Sequence, residues 1–175
     1  MNTPSARLLV LAGEKFSCIK IVGRANFVSS LDFKTLVNEL RRRGQDYLVL
    51  DLSECALMDS TFLGVLAGLG LKNSAAQKDP CDGGIELLNP NTRISELLEN
   101  LGVLHLFKVT EGPLKPPPGA ESLTPAPLNH SKEEVTRACL EAHRALMDIN
   151  PANVSKFKDV AQFLAENLKS RKPGE

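Results

Sequence analysis

Three consecutive polar residues, Asp59, Ser60 and Thr61, separate one apolar segment from a longer one. A serine or threonine hydroxyl can accept a phosphoryl group, and a helix N-terminus accommodates the resulting phosphate. An aspartate or a serine at the same place is also a common N-cap, which satisfies backbone amides of the first helical turn. The residue types and their spacing therefore leave two interpretations open, a modification site and a plain helix cap.

Other side chains with catalytic or metal-binding chemistry lie far apart in the sequence. They are the histidines and cysteines His105, His130, His143, Cys18, Cys55, Cys81 and Cys139. They include no C-x-x-C pair and no metal-ligand spacing, which favours packing or surface histidines and inert thiols. Asp51, Glu54 and Asp59 have no nucleophile or cation nearby in the sequence, so turns and caps explain them better than acid–base catalysis. We therefore expect no catalytic residue, no metal and no cofactor.

Composition and charge exclude several classes of protein. The 175 residues are enough for one main domain, and 42% hydrophobic with 24% charged residues is typical of a globular protein. Because 21 basic residues balance 21 acidic ones, no net field favours nucleic acid. The apolar run at residues 8–12 is too short for a membrane span or a signal peptide. We expect a cytoplasmic protein without a membrane span and without direct nucleic-acid contact.

The elements that must position Ser60 are a strand before it and a helix after it. Residues 47–52 form an almost unbroken apolar run, as expected for a strand that is covered on both faces. Residues 61–72 are nearly all apolar and long enough for a buried helix. Gly64 and Gly68 would allow that helix to approach a sheet closely, although each glycine costs about 1 kcal/mol of helix stability.

Similar patterns extend over the first 111 residues and predict one domain. The remaining predicted elements are strands at residues 8–12, 16–22, 85–88 and 105–109, a helix from residue 30, and a helix after residue 91. The first of these helices would begin with a capping box formed by Ser29 and Asp32. This order of elements predicts an α/β sandwich with a mixed sheet over residues 1–111.

The carboxy-terminal third of the chain differs in composition. Prolines are dense between residues 112 and 130, which predicts an extended, semi-rigid linker. Residues 131–172 contain a capping box of Ser131 with Glu134 and two helical apolar stripes, which predict a helical hairpin. The side chains expected to be buried are Val135, Leu146, Phe157, Val160 and Leu164. Because two such helices cannot bury their stripes alone, they must dock on the first domain, pair with each other or contact another chain.

The segment around Ser60 also resembles a known family. Residues 51–53 (DLS) and 58–66 (MDSTFLGVL) resemble the signature of STAS domains, especially of bacterial anti-sigma-factor antagonists. Supporting similarity extends over roughly residues 6–110, and none lies beyond residue 112. The resemblance implies a STAS-like α/β sandwich with a mixed sheet and packed helices, followed here by a C-terminal helical extension.

The resemblance also assigns roles to individual residues. In that family the serine after the aspartate is phosphorylated by an anti-sigma factor that is also a serine protein kinase. This position falls on Ser60, with Thr61 as the alternative phosphoacceptor. The same comparison implies that Asp59, Ser60, Thr61 and Phe62 bind the partner. Phe62 replaces a glycine of the family pattern, and we expect its ring to be exposed near the partner-binding surface.

The function implied by the resemblance is that of an anti-anti-sigma factor in bacterial transcription regulation. Such a protein is not an enzyme: it binds the anti-sigma factor and is released when it is phosphorylated. The alternative is a STAS scaffold subunit of a larger signalling or membrane-associated complex. In either case the C-terminal helices offer a surface for a homo-oligomer. An enzyme ranks third, because the sequence contains no catalytic constellation.

Overall fold

Strands and helices alternate through the first two thirds of the chain, and two further helices follow. The computed structural model describes residues 5–76, 84–123, 125 and 129–170. The strands are β1 (Arg7–Ala12), β2 (Phe16–Ala25), β3 (Tyr47–Asp51), β4 (Cys55–Met58), β5 (Gly84–Leu88), β6 (Lys108–Thr110) and β7 (Glu121–Leu123). The helices are α1 (Phe27–Arg42), α2 (Ser60–Ala76), α3 (Thr92–Asn100), α4 (Lys132–Ile149) and α5 (Val154–Ser170), with short 3-10 helices at Leu104–Leu106 and Pro151–Asn153. Cys81, and the end of the predicted hairpin at 171–172, lie outside the described residues.

The strands form one mixed sheet in the order β6-β5-β3-β2-β1-β7, and β4 pairs with the end of β2. The predicted strands at residues 8–12 and 16–22 are confirmed as the antiparallel pair β1 and β2, while β2, β3, β5 and β6 run parallel to one another. The predicted α/β class with a mixed sheet is therefore confirmed. The main hydrophobic core lies on the face of the sheet that the helices cover, and Leu114 packs on a small cluster of Cys18, Val49 and Leu88.

Helix α1 begins earlier than the sequence pattern predicted. The prediction that Ser29 and Asp32 form its capping box is wrong, because the N-cap is Asn26. The Asn26 side chain accepts hydrogen bonds from the amides of Val28 and Ser29, and the Ser29 hydroxyl accepts one from the amide of Asn26. Ser29 thus belongs to the capping box at its third helical position.

Two strands differ from prediction. Strand β4 was not predicted, because a four-residue segment that pairs only with the last residues of β2 has too short an apolar pattern. The last strand of the first domain was predicted at residues 105–109, but Leu104–Leu106 forms a 3-10 helix and only Lys108–Thr110 pairs with β5. The apolar side chains of this 3-10 helix still pack against the main core.

The predicted linker contains a strand that its proline content concealed. Strand β7 pairs antiparallel with β1, with Val10 opposite Leu123 and Ala12 opposite Glu121. Glu121–Leu123 contains no proline, so each residue has the amide that a ladder requires. The segment between the first domain and α4 is therefore attached to the edge of the sheet.

Helices α4 and α5 are present where the sequence predicted two helices, and α4 docks on α1 and α2. Ala142 and Leu146 of α4 belong to the main core, and α5 packs against α4. Of the side chains that were expected to be buried, Leu146 is fully buried and Val135, Phe157 and Leu164 are half-buried. Val160 is 44% exposed, so that expectation is wrong. The reason is that α5 buries fully only the narrow strip around Ala161.

Candidate functional site

Strand β4 and helix α2 position the polar segment that the sequence singled out. The backbone of Asp59 donates a hydrogen bond to the carbonyl of Ala25, which fixes the end of β4 against the end of β2. The Asp59 carboxylate is the N-cap of α2, since Oδ1 accepts from the amide of Phe62 at 2.8 Å. Oδ2 accepts from the amide of Phe27 at 2.7 Å, in the first turn of α1. Asp59 therefore joins two helix N-termini, where a negative charge is stabilising.

Ser60 lies in the first turn of α2 and does not cap it. Its Oγ is 3.0 Å from Nε2 of His143, on α4. The other ring nitrogen, Nδ1, is 2.6 Å from the carbonyl oxygen of Cys139. Because a carbonyl oxygen can only accept, Nδ1 carries the proton, and in the neutral ring Nε2 accepts the hydroxyl hydrogen of Ser60. His143 is only 5% exposed and its ring contacts the edge of Phe157.

Thr61, which the resemblance predicts as the alternative phosphoacceptor, is buried, and it faces α4. Its hydroxyl donates to the Cys139 sulfur at 3.6 Å. Burial raises the pKa of the Cys139 thiol, and the Thr61 hydrogen bond opposes this shift. The thiol is therefore protonated at neutral pH and acts as a weak polar contact rather than a nucleophile.

Phe62 is fully buried, so the expectation of an exposed ring is wrong. Its exposed fraction is 0%, and its ring centroid lies 4.9 Å from that of Phe33 on α1. The side chain enters the core between α1 and α2 instead of pointing to solvent. The ring stabilises the position of α2 from within and contributes no surface to a partner.

Gly64 brings α4 close to α2, and not α2 close to the sheet as the sequence had indicated. A Cβ atom at Gly64 would lie 2.6 Å from the carbonyl carbon of Ala142 and 2.7 Å from its Cβ, which no real side chain tolerates. At Gly68, one turn later, the same atom would meet only Ala145 Cβ at 4.0 Å. The two helices are thus closer at Gly64, one turn after Ser60, than at Gly68.

The similarity of this chain to known proteins is found in its structure. No family model and no curated protein matches the sequence. The solved structure of an anti-sigma factor antagonist from Mycobacterium paratuberculosis superimposes with a TM-score of 0.51 at 18% sequence identity, covering 63% of this chain and 90% of that one. This chain has the STAS fold of the anti-sigma factor antagonists. The unphosphorylated form of the anti-sigma factor antagonist SpoIIAA matches at 14% identity over 60% of this chain and 87% of that one, with a TM-score of 0.49.

Within this STAS fold, an apolar surface beside Asp59 remains open to solvent. Phe27 and Val28, in the first turn of α1, are 46% and 47% exposed. Their backbone is held by Asp59 and Asn26, so the position of these two side chains is fixed by the same bonds that fix the start of α2. Fixed and exposed apolar side chains are typical of a protein-binding surface. No motif or spacing in the sequence indicated this pair.

The site also includes residues that sequence reasoning missed. His143 and Cys139 were assigned as a packing or surface histidine and an inert thiol, and the sequence did not indicate that they contact Ser60 and Thr61. A second histidine, His130, does not contact Ser60 or Thr61 in the described structure. Its Nε2 lies 2.8 Å from the carboxylate of Asp32 on α1. Across the described part of the chain, no group of three His, Cys, Asp or Glu side chains could hold a metal ion, and no helix is long and apolar enough to cross a membrane.

Proposed function

We propose that this protein is an anti-sigma factor antagonist whose binding to an anti-sigma factor is switched by phosphorylation of Ser60. The observation that carries the proposal is the position of the Ser60 hydroxyl. It projects from the first turn of α2, beside the capping carboxylate of Asp59, and takes no part in capping. The exposed side chains of Phe27 and Val28, in the turn of α1 that Asp59 binds, supply apolar contact area. The likeness to solved anti-sigma factor antagonists supports the same role.

The chemistry of the switch follows from charge. A phosphoserine adds about −1.5 to −2 charge units at neutral pH, and here it would stand beside the Asp59 carboxylate. The positive end of α2 stabilises the phosphate, so the domain stays folded. A partner surface that fits the neutral hydroxyl then meets both bulk and repulsion. A loss of about 2.8 kcal/mol of binding free energy corresponds to roughly a hundredfold weaker affinity, enough to exchange partners.

The proposal is tested by binding and by mapping the phosphate. The dephosphorylated protein is used to capture anti-sigma factors with a serine kinase domain from the source organism. Each captured kinase is then incubated with the dephosphorylated protein and ATP. We expect phosphate on Ser60, tight binding of Ser60→Ala and weak binding of Ser60→Asp, with Thr61→Val as the matched control that is still phosphorylated. Phosphate on Thr61 alone, or binding that ignores the state of Ser60, would contradict the proposal.

A scaffold subunit of a larger complex is the second candidate. The observation that favours it is the outer face of α5, where Val160 and Phe163 are exposed. The two candidates differ in size in solution, because a scaffold that uses α5 would self-associate. Light scattering of the full-length protein, compared with a Phe163→Lys variant, distinguishes them: a dimer or larger particle that Phe163→Lys dissociates favours the scaffold.

The non-enzymatic assignment also has a direct test. The Ser60 hydroxyl is hydrogen-bonded to His143, and the other ring nitrogen of His143 is bonded to the Cys139 carbonyl. A catalytic serine and its general base have the same arrangement. We expect no ester hydrolysis, because α4 packs against the side of Ser60 to which its hydroxyl is directed. Turnover of p-nitrophenyl esters that Ser60→Ala abolishes would show instead that the pair is catalytic.

A further inference from the structure

We infer that α4 is an internal inhibitor of the Ser60 surface, a helical latch that must move away before a kinase or a partner can reach Ser60. The effect on partner binding rests on the function proposed above. The occlusion itself rests on the contacts between α2 and α4. Two features of those contacts support it: the bonds to both hydroxyls, and the closeness of the two helices at Gly64, one turn after Ser60.

Both candidate phosphoacceptors are bonded to α4. The hydroxyl hydrogen of Ser60 is directed to His143, and that of Thr61 to Cys139. A kinase must deprotonate the hydroxyl with its own base and bring a γ-phosphate in line with the oxygen. While Nε2 of His143 accepts a hydrogen bond from that hydroxyl at 3.0 Å, the side of Ser60 that faces α4 is closed.

The helices are too close at this point for anything to insert between them. The backbone of Ala142 lies where a Cβ of Gly64 would be, one turn after Ser60. A cavity of about 190 Å³ adjoins this contact and extends along α2, and its lining includes Gly64 and Ala142 as well as Gly68 and Lys72. The two helices are therefore in direct contact at Gly64 and leave room for a side chain at Gly68.

The attachment of α4 differs between its two ends. At its C-terminal end, Asn153 is fully buried and donates to the carbonyls of Leu101 and Leu146. At its N-terminal end, His130 Nε2 lies 2.8 Å from the Asp32 carboxylate on α1, and both side chains are partly exposed. The contact between Lys34 and Glu141 is a solvent-exposed ion pair at 3.4 Å, and such pairs add little stability. An opening movement that pivots near Asn153 therefore has to break the contact between His130 and Asp32 as well as the bonds to Ser60 and Thr61.

The test uses the full-length protein and two glycine-to-alanine variants. Gly64→Ala places a methyl group against the backbone of Ala142, whereas Gly68→Ala adds the same methyl and the same helix propensity where there is room. His143→Ala, which adds no volume, removes the bond to Ser60. Circular dichroism confirms that each variant is folded. The readouts are the alkylation rate of Cys139, mapped by mass spectrometry, and the rate of Ser60 phosphorylation by the captured anti-sigma factor kinase.

We expect Gly64→Ala and His143→Ala to raise the Cys139 alkylation rate at least about tenfold and to speed phosphorylation similarly, with Gly68→Ala unchanged. Faster alkylation without phosphorylation of any variant would support the latch and refute the proposed switch. The latch is refuted if Gly64→Ala and His143→Ala alkylate at the wild-type rate, or if wild-type Ser60 is phosphorylated as fast as in both variants.

Discussion

The ring of Phe62 packs on the ring of Phe33 with the two planes tilted by 30°, and this contact joins α2 to α1 inside the core. It explains why a bulky residue can occupy a position at which the family pattern has glycine. The ring fills the space between the helices, and the backbone of Phe62 still donates its amide to Asp59. The departure from the family pattern is therefore a change in packing and not in the exposed surface.

Phe62→Ala should lower the free energy of unfolding by about 3 to 5 kcal/mol, the usual cost of removing a buried aromatic ring. Urea denaturation of the full-length protein measures this loss. Phe27→Ala is the matched control: its ring is exposed, so its effect should stay within about 0.5 kcal/mol. Equal losses for the two variants would contradict the assignment of Phe62 to the core.

Asp59→Ala should destabilise the protein by about 1 to 3 kcal/mol, because one carboxylate caps α2 and also binds the first turn of α1. Asp59→Asn is the informative comparison. Its amide oxygen can still accept from the amide of Phe62, but its NH₂ group cannot accept from the amide of Phe27. An intermediate loss of stability is therefore expected for Asp59→Asn. If it were as stable as wild type in urea, the bond to Phe27 would contribute nothing.

Much of the fold was predictable because its signals are local. The apolar runs of β1 and β3, the alternating pattern of β2 and the helical spacing of apolar residues in α3 each lie within a few consecutive residues, and all these elements are confirmed. Strands β4 and β7 were not predicted, because they have no comparable local pattern. Each is short, and each pairs with a strand more than thirty residues away, so only the tertiary structure gives it a partner.

The residues of the candidate site also differ in how well local sequence predicted them. Asp59, Ser60 and Thr61 were found from the residues around them, whereas His143 follows Ser60 by 83 residues and no local pattern connects the two. Phe62 was predicted to be exposed because the family pattern has glycine at this crowded helix start, where a ring was expected to project outward rather than fill an enlarged pocket. Whether a side chain is buried depends on which residues lie opposite it on the neighbouring helix. The contact between Phe33 and Phe62 could not be predicted from residue spacing.

Stability should fall more steeply with alkaline pH in the wild type than in Cys18→Ala. Burial, and to a smaller extent the charges of Asp51 and Glu86, raises the pKa of the Cys18 thiol from 9.0 to about 11. Between these values the unfolded chain releases the proton while the folded chain retains it, so the contribution is complete below pH 9 and lost as pH rises through 11. Denaturation at intervals across this range, compared as slopes for the two proteins, measures the effect. Parallel slopes would mean that Cys18 titrates alike in both states.

The hydrogen bond between Ser60 and His143 should appear as a coupling energy that requires no partner protein. Ser60→Ala leaves His143 Nε2 buried without a donor, His143→Ala leaves the hydroxyl without its acceptor, and the double variant removes both groups. We expect the single changes to cost about 1 to 3 kcal/mol each, and the double-mutant cycle to yield a coupling of about 0.5 to 1.5 kcal/mol. Ser60→Ala combined with His130→Ala is the control cycle, because His130 contacts Asp32 instead, and its coupling should be close to zero. A coupling for Ser60 and His143 no larger than this control would mean that α4 does not hold Ser60 in solution. The hydroxyl would then be open to a kinase at all times.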